Sequence, residues 1–203
     1  MQRALQRSFL QEHQEPATLE QSRFLQFVVE LNNLTSTETI YQMFATEMFR
    51  QFAFDGMGFF LLENGMLVNK RVEAADPHYH VISEAWSDYL RGNAYALDTT
   101  DGGVSHTFLK NNPLLFHDVQ SIMGLPMSAK DRGSLEVLQT PRTLLLVPIC
   151  DQQHAIGVLA FFSLAQPVGI SDGELQTIQK LASYFGKAIS NINNHLLAQG
   201  SLQ

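Results

Sequence analysis

Residues 143–163 read TLLLVPICDQQHAIGVLAFFS. Two apolar runs separated by the polar turn Cys150-Asp151-Gln152-Gln153 form the pattern of an antiparallel hairpin. The second run, His154 to Ser163, is apolar at nearly every position, which implies a strand covered on both faces. Pro148 has no N–H to give a ladder, so it belongs at an edge, a bulge or a strand end. Just behind the hairpin, Ser171-Asp172-Gly173-Glu174 is a Ser-x-x-Glu capping box. It opens a long helix whose apolar positions Leu175, Ile178, Ala182, Phe185, Ile189, Ile192 and Leu196 alternate in steps of three and four, a heptad seam. The seam runs beyond what a small sheet needs covered. It predicts a second helix against Ile189, Ile192 and Leu196, from the N-terminal segment or from another copy of the chain, with Ala182 and Gly186 permitting close approach.

Upstream, residues 1–18 form a Gln-rich extension, and 19–198 read as one domain ending in the helix over 171–198. Thr18-x-x-Gln21 is a plausible helix cap, followed at helical spacing by Phe24, Phe27, Val28, Leu31 and Leu34. Thr35-Ser36-Thr37-Glu38 reads as a second capping box for a helix with Ile40, Met43, Phe44 and Met48 on one face. Asp55 to Leu62 and Met66 to Val72 flank Glu63-Asn64-Gly65, a hairpin whose Asn-Gly supplies the positive φ of a tight turn. Gly56 and Gly58 suggest a bend or a close backbone approach in its first strand.

The middle of the chain is the most distinctive. Pro77 and Gly92 bracket a helix with Ile82, Ala85, Trp86, Tyr89 and Leu90 on one face. Tyr95, Asp98, Thr99, Thr100 and Asp101-Gly102-Gly103 follow as a polar loop. A short helix over Val104 to Lys110, capped by Asp101 or Ser105, leads through Asn111-Asn112-Pro113 to a strand from Leu114 to Asp118. After the loop at Gly124-Leu125-Pro126, Ala129 to Gln139 fits another short helix.

Thirteen Lys and Arg against twenty Asp and Glu leave a net charge of −7 with no basic cluster. That argues against nucleic acid and against a polybasic membrane surface. No apolar run approaches the length of a membrane span, and the first residues are too polar for a secretory signal, so a cytoplasmic location is expected. The single cysteine, Cys150, excludes an intramolecular disulfide and a Cys-rich zinc site. His78, His80, His106 and His117 show no metal-ligand spacing, and no nucleophile elbow, phosphate loop or HExxH motif is present.

LLLVPI, the turn, AIGVLAFFS and the Ser-Asp-x-Glu-Leu helix containing LASYFGKAIS resemble the C-terminal half of a GAF domain, with the likeness extending over about residues 19 to 195. The resemblance implies an α/β fold related to PAS domains: an antiparallel sheet of five to six strands, the N- and C-terminal helices on one face and a ligand pocket on the other. It implies a non-catalytic small-molecule sensor cut from a longer signalling protein, dimerising through its terminal helices to control an effector domain. The region where the family binds ligands corresponds here to Trp86–Asp118. The expected ligand-contacting residues are Trp86, Tyr89, Tyr95, Asp98, Thr99, Thr100, Ser105, Phe108, Phe116 and Asp118, with Trp86 and Asp98 facing one cavity. Gly102-Gly103 before a helix would suit an anion.

The ligand itself is left unknown. Covalent bilin attachment is not expected, because Cys150 sits at a strand end and not in the pocket-lining segments. Asn69-Lys70 matches part of the cyclic-nucleotide signature of phosphodiesterase GAF domains, but the Phe-x-x-x-Asp-Glu element is missing. Two alternatives stay open. One GAF branch reduces free methionine sulfoxide with cysteines, and a lone cysteine fits it poorly. Trp86, Tyr89, Tyr95 and Asp98 are similar to the Trp/Tyr/Asp set of acyl-homoserine-lactone receptors, although the Trp-to-Tyr step is three and Thr99 stands in place of the usual proline.

Overall fold

A computed structural model describes residues 22–200, with side chains through residue 194. The extension 1–18, the Thr18/Gln21 cap and the side chain of Leu196 lie outside the described residues. A helix over 22–33 (α1) is followed by α2 (Thr37–Gln51), α3 (His80–Arg91), α4 (Gly103–Lys110), α5 (Ala129–Val137) and α6 (Asp172–Gly200). The strands are β1 (Gly56–Glu63), β2 (Met66–Ala74), β3 (Tyr95–Ala96), β4 (Leu114–Phe116), β5 (Thr143–Asp151) and β6 (His154–Ser163). They form one six-stranded sheet in the order β3-β2-β1-β6-β5-β4, antiparallel at every pairing.

Both hairpins turn on two residues with positive φ: Asn64 (49°) and Gly65 (79°), and Gln152 (47°) and Gln153 (72°). Two such residues match the twist of the flanking strands. The second turn is therefore tighter than the four-residue turn expected from the sequence. Cys150 and Asp151 stay in β5 and pair with Ala155 and His154. Pro148 lies opposite Val158, past Leu146, the last β5 residue paired to β4, and beside a register slip at Ile149/Cys150. Its missing N–H falls beyond the end of the neighbouring strand.

Alternate residues of the central strands feed two cores. Met57, Phe59 and Leu61 of β1, Leu145, Val147 and Ile149 of β5, and Leu159 and Phe161 of β6 pack under α1, α2 and α6. Phe60, Leu146, Val158, Ala160 and Phe162 face the other way, toward α3, α4 and α5. Sheet and helices thus place the terminal helices on one face and leave the second face for the middle segment, as the α/β expectation required.

The α6 seam is absorbed within the chain as far as Ile192. Ile178, Ala182, Phe185, Ile189 and Ile192 all belong to the buried core that includes Phe27 and Leu31 of α1 and Ile40, Phe44 and Met48 of α2. Phe24 meets Tyr184 edge-on at 5.7 Å. Ile189 and Ile192 are therefore not left bare, and their spacing by itself demands no second copy. The N-terminal helices, remote in sequence, return to cover them.

Capping follows the sequence at one end and departs from it at another. Ser171 and Glu174 form the reciprocal box: Glu174 N–H reaches Ser171 Oγ (3.3 Å), and Ser171 N–H reaches Glu174 Oε2 (2.8 Å). The Thr35/Glu38 box does not form. Ser36 is the cap residue of α2 and makes no side-chain cap bond. Glu38 then stands at the second helical position, one short of the box geometry, and it pairs with Arg71 of β2. In α3 the inward face is Ser83, Trp86 and Leu90, whereas Ala85 is exposed.

Candidate functional site

The second face of the sheet is roofed by α3, α4, α5 and the loop between β4 and α5. Trp86 of α3 lies flat enough on β1 that a Cβ at Gly58 would come within 2.8 Å of its ring. The indole N–H donates to Ser134 Oγ of α5 (2.7 Å), so both partners are satisfied while buried. Phe60 stands edge-on to both Trp86 (6.2 Å) and Tyr95 (5.9 Å). Between these groups is a cavity of about 610 Å³. Its walls are mainly apolar, with Phe60, Phe116, Ile122, Leu135, Leu138 and Leu146 prominent. The polar groups that reach it include Thr99, Thr100, Ser128, Ser134, His106 and Asp131. This is the composition of small-molecule sites: apolar walls with a few fixed polar groups.

Asp131 is the chemical centre of the wall. It stands three residues after the cap Ser128, whose Oγ accepts its N–H at 3.0 Å. A carboxylate at that position ordinarily reaches back to the cap. Here it also serves another helix: Gly103 N–H donates to Oδ2 at 2.8 Å and the Tyr95 hydroxyl to Oδ1 at 3.3 Å. Gly102 makes the approach possible. Its φ is 151°, and a Cβ there would sit 2.5 Å from Asp131 Oδ1 and 2.7 Å from the Tyr95 ring. The start of α4, read from sequence either as free for an anion or as capped by Asp101 or Ser105, is instead held by a carboxylate from α5. Asp101 accepts Ala96 N–H (2.6 Å) and Lys130 Nζ (2.7 Å), while Ser105 donates to the Ala96 carbonyl (2.6 Å).

Burial pushes the Asp131 carboxyl above its ordinary pKa even though these hydrogen bonds act against the rise. The Tyr95 phenol is driven well above its usual value, first by burial and then by the neighbouring Asp131. An acid with a raised folded pKa binds its proton more tightly folded than unfolded, so it costs stability above that window and nothing below it. Asn keeps an acceptor for Gly103 N–H and removes the charge. Asp131→Asn is therefore expected to raise the melting temperature at neutral pH. The gain should vanish near pH ~3, where the unfolded carboxyl is itself protonated. Thermal melts of both proteins across that range check the sign. A lower melting temperature for the variant at neutral pH would contradict it.

Of the residues expected from sequence, Trp86, Tyr95, Thr99, Thr100 and Phe116 line the cavity, and Tyr89, Asp98, Ser105, Phe108 and Asp118 do not. The Tyr89 hydroxyl is directed to the Lys130 carbonyl (3.0 Å), tying α3 to α5. Asp98 is exposed and accepts both the N–H and the hydroxyl of Thr100 at 2.8 Å, bonds that hold its carboxyl below the usual range. Phe108 packs against the core beneath the cavity, and Asp118 accepts Gln120 N–H to start a single 3-10 turn. The pairing of Trp86 with Asp98 across one cavity thus holds for Trp86 alone. Asp131 and Ser134 were missed, and the available signal was a short helix, AKDRGSLEV, too polar to serve only as a cover.

Cys150 lies outside the cavity lining, its Sγ 3.1 Å from Asn111 Oδ1, and burial raises its thiol pKa. Among the described residues no group of three or more His, Cys, Asp or Glu is placed to hold a metal ion. Among them, too, no helix is long and apolar enough to cross a membrane.

A six-stranded antiparallel sheet with terminal helices on one face and a roofed cavity on the other defines a domain of the α/β class. The chain belongs to the GAF domain family, which it matches over residues 36–189. None of the curated proteins matches it. Solved structures share the fold at low identity. The GAF domain of an Acinetobacter phosphoenolpyruvate-protein phosphotransferase is 13% identical, with a TM-score of 0.62 over 87% of this chain and 95% of that one. A GAF domain/HD domain protein from Geobacter sulfurreducens is 16% identical, with a TM-score of 0.60 over 80% and 97%. A far-red-absorbing dark state with bound biliverdin is 16% identical, with a TM-score of 0.62 over 83% and 97%.

Proposed function

We propose that the chain is the non-catalytic ligand-sensing domain of a signalling protein, with residues 19–198 as the sensor and the helix over 171–198 as its output to an effector domain. The observation that carries this reading is the apolar cavity with Asp131, Ser134 and two threonines on its wall. β5 gives the cavity a route to the output helix. Leu144 and Leu146 line the cavity, while the alternate residues Leu145, Val147 and Ile149 lie in the core with α6. A ligand that favours one seating of β5 over another biases α6, which is what a sensor requires. In this reading the domain acts in the cytoplasm as a homodimer. Leu25 and Val29, both 59% exposed and one turn apart on α1, offer an apolar stripe for a homodimer.

The enzymatic alternative is weaker, because Cys150 is away from the cavity and burial disfavours its thiolate. The acyl-homoserine-lactone alternative loses its aspartate, since Asp98 is exposed and bound to its own turn.

Native mass spectrometry of the purified chain tests the proposal. A co-purified small molecule is expected in wild type and in Cys150→Ser, and is expected to be lost in Ala160→Phe, which fills the cavity from its β6 wall. Methionine sulfoxide turnover with an external thiol that disappears in Cys150→Ser would overturn the sensor reading.

A further inference from the structure

We propose that the cavity takes a cationic amine: a small apolar body with one protonated amino group set against the Asp131 carboxylate. The inference rests on the sensor reading of the same cavity and adds the chemical class of its ligand. Asp131 is the only carboxylate on the wall among the described residues, and no lysine or arginine lines it. Lys130, the preceding residue, is committed to Asp101 and the Ala94 carbonyl, both at 2.7 Å. The carboxylate receives the Gly103 N–H and the Tyr95 and Ser128 hydroxyls, whereas an ionised carboxylate accommodates about four hydrogen bonds. A half-buried anion with unused lone pairs and no countercharge is costly unless a cation joins it. The raised proton affinity of Asp131 is the same shortage expressed as a titration. The other walls are hydrocarbon, so the rest of the ligand is apolar. Anionic ligands fit badly: a cyclic phosphate, or the two propionates of a biliverdin, would meet Asp131 with no cation on the wall to receive them.

Three probes of one shape decide it: phenylbutylamine, phenylbutanol and phenylbutyric acid, titrated calorimetrically into the full chain at neutral pH. The amine is expected to bind about ten-fold or more tightly than the alcohol, with no saturable binding of the acid. Asp131→Asn should bring amine and alcohol within about two-fold of each other, by weakening the amine far more than the alcohol. If that variant fails to fold, wild type at falling pH serves instead. Protonating Asp131 should erase the amine preference while changing the alcohol much less. The other ionisable groups around it are Tyr95, Tyr89, the Asp101–Lys130 pair and His106 on the wall. His106→Gln removes the imidazole from the wall, so any remaining change with pH belongs to the carboxylate. An alcohol that binds as tightly as the amine, or an acid that binds better, overturns the amine assignment and leaves the sensor reading standing. No binding of any probe overturns the amine assignment. If the purified chain also carries no small molecule, the sensor reading falls with it.

Discussion

Phe185→Ala is expected to remove about 3–5 kcal/mol of stability, the usual cost of truncating a fully buried aromatic ring. The ring is fully buried at the meeting point of three elements. Its centroid lies 4.8 Å from Phe44 and 5.7 Å from Tyr41 on α2, and 5.2 Å from Phe59 on β1. Phe44 and Tyr41 also contact Phe59 directly, so the four rings form a closed group. Its neighbours are held by the sheet and by α2, so they relax little into the space left behind, and the cavity term adds to the transfer term. Total stabilities of about 5–15 kcal/mol make this a large fraction of the whole. The melting temperature should fall by roughly 10–15 °C. Phe185→Leu, which keeps most of the volume, should cost less than about 1.5 kcal/mol. Urea unfolding followed by circular dichroism measures both. A loss below about 1 kcal/mol for the alanine would mean that the rings do not form the central core.

Alternation made the sheet legible in the sequence. FFLL, LLLVPI and AIGVLAFFS are apolar on consecutive residues, and consecutive residues of a strand point to opposite faces. Two covered faces followed directly, and the helical periodicities placed α1, α2, α3 and α6. What covers a seam is not legible in the same way. Spacing shows that Ile189 and Ile192 need a partner, and only the three-dimensional path of the chain shows that the core they enter contains Leu31 and Ile40.

The aspartates of the middle segment meet the same limit. Asp98 and Asp131 are equally aspartates beside polar neighbours, and composition gives neither a direction. A local signal did exist for Asp98. Asp-Thr-Thr is a sequence in which the carboxylate bonds its own backbone two residues on, a turn device that consumes the side chain. Asp131 had the opposite character, because its partner Gly103 lies 28 residues away. Gly102 carried a trace of that contact, since a glycine before a helix marks either freedom or close approach, and here it is close approach.

Gly186→Ala should destabilise the protein by about 1–3 kcal/mol, although alanine is the better helix former by about 1 kcal/mol. The two effects have opposite signs, which makes the substitution diagnostic. A Cβ at Gly186 would stand 2.4 Å from the Cys150 carbonyl oxygen, 2.9 Å from its carbon and 3.0 Å from Ile149 Cγ2. The first two atoms are β5 backbone and cannot rotate aside, so α6 must lift from the strand or the strand must bend. Gly173, in the first turn of the same helix, has nothing within 4 Å of a built Cβ. Gly173→Ala therefore reports the propensity term alone and should leave stability unchanged or raised. The contact lies on the strand whose Leu144 and Leu146 line the cavity, so lifting α6 there should also weaken the proposed link between the cavity and α6. Urea unfolding of the two variants side by side reads the stability terms. If Gly186→Ala stabilises as Gly173→Ala does, α6 is not seated on β5 at this point, and the strand cannot transmit the state of the cavity to the helix in the way proposed.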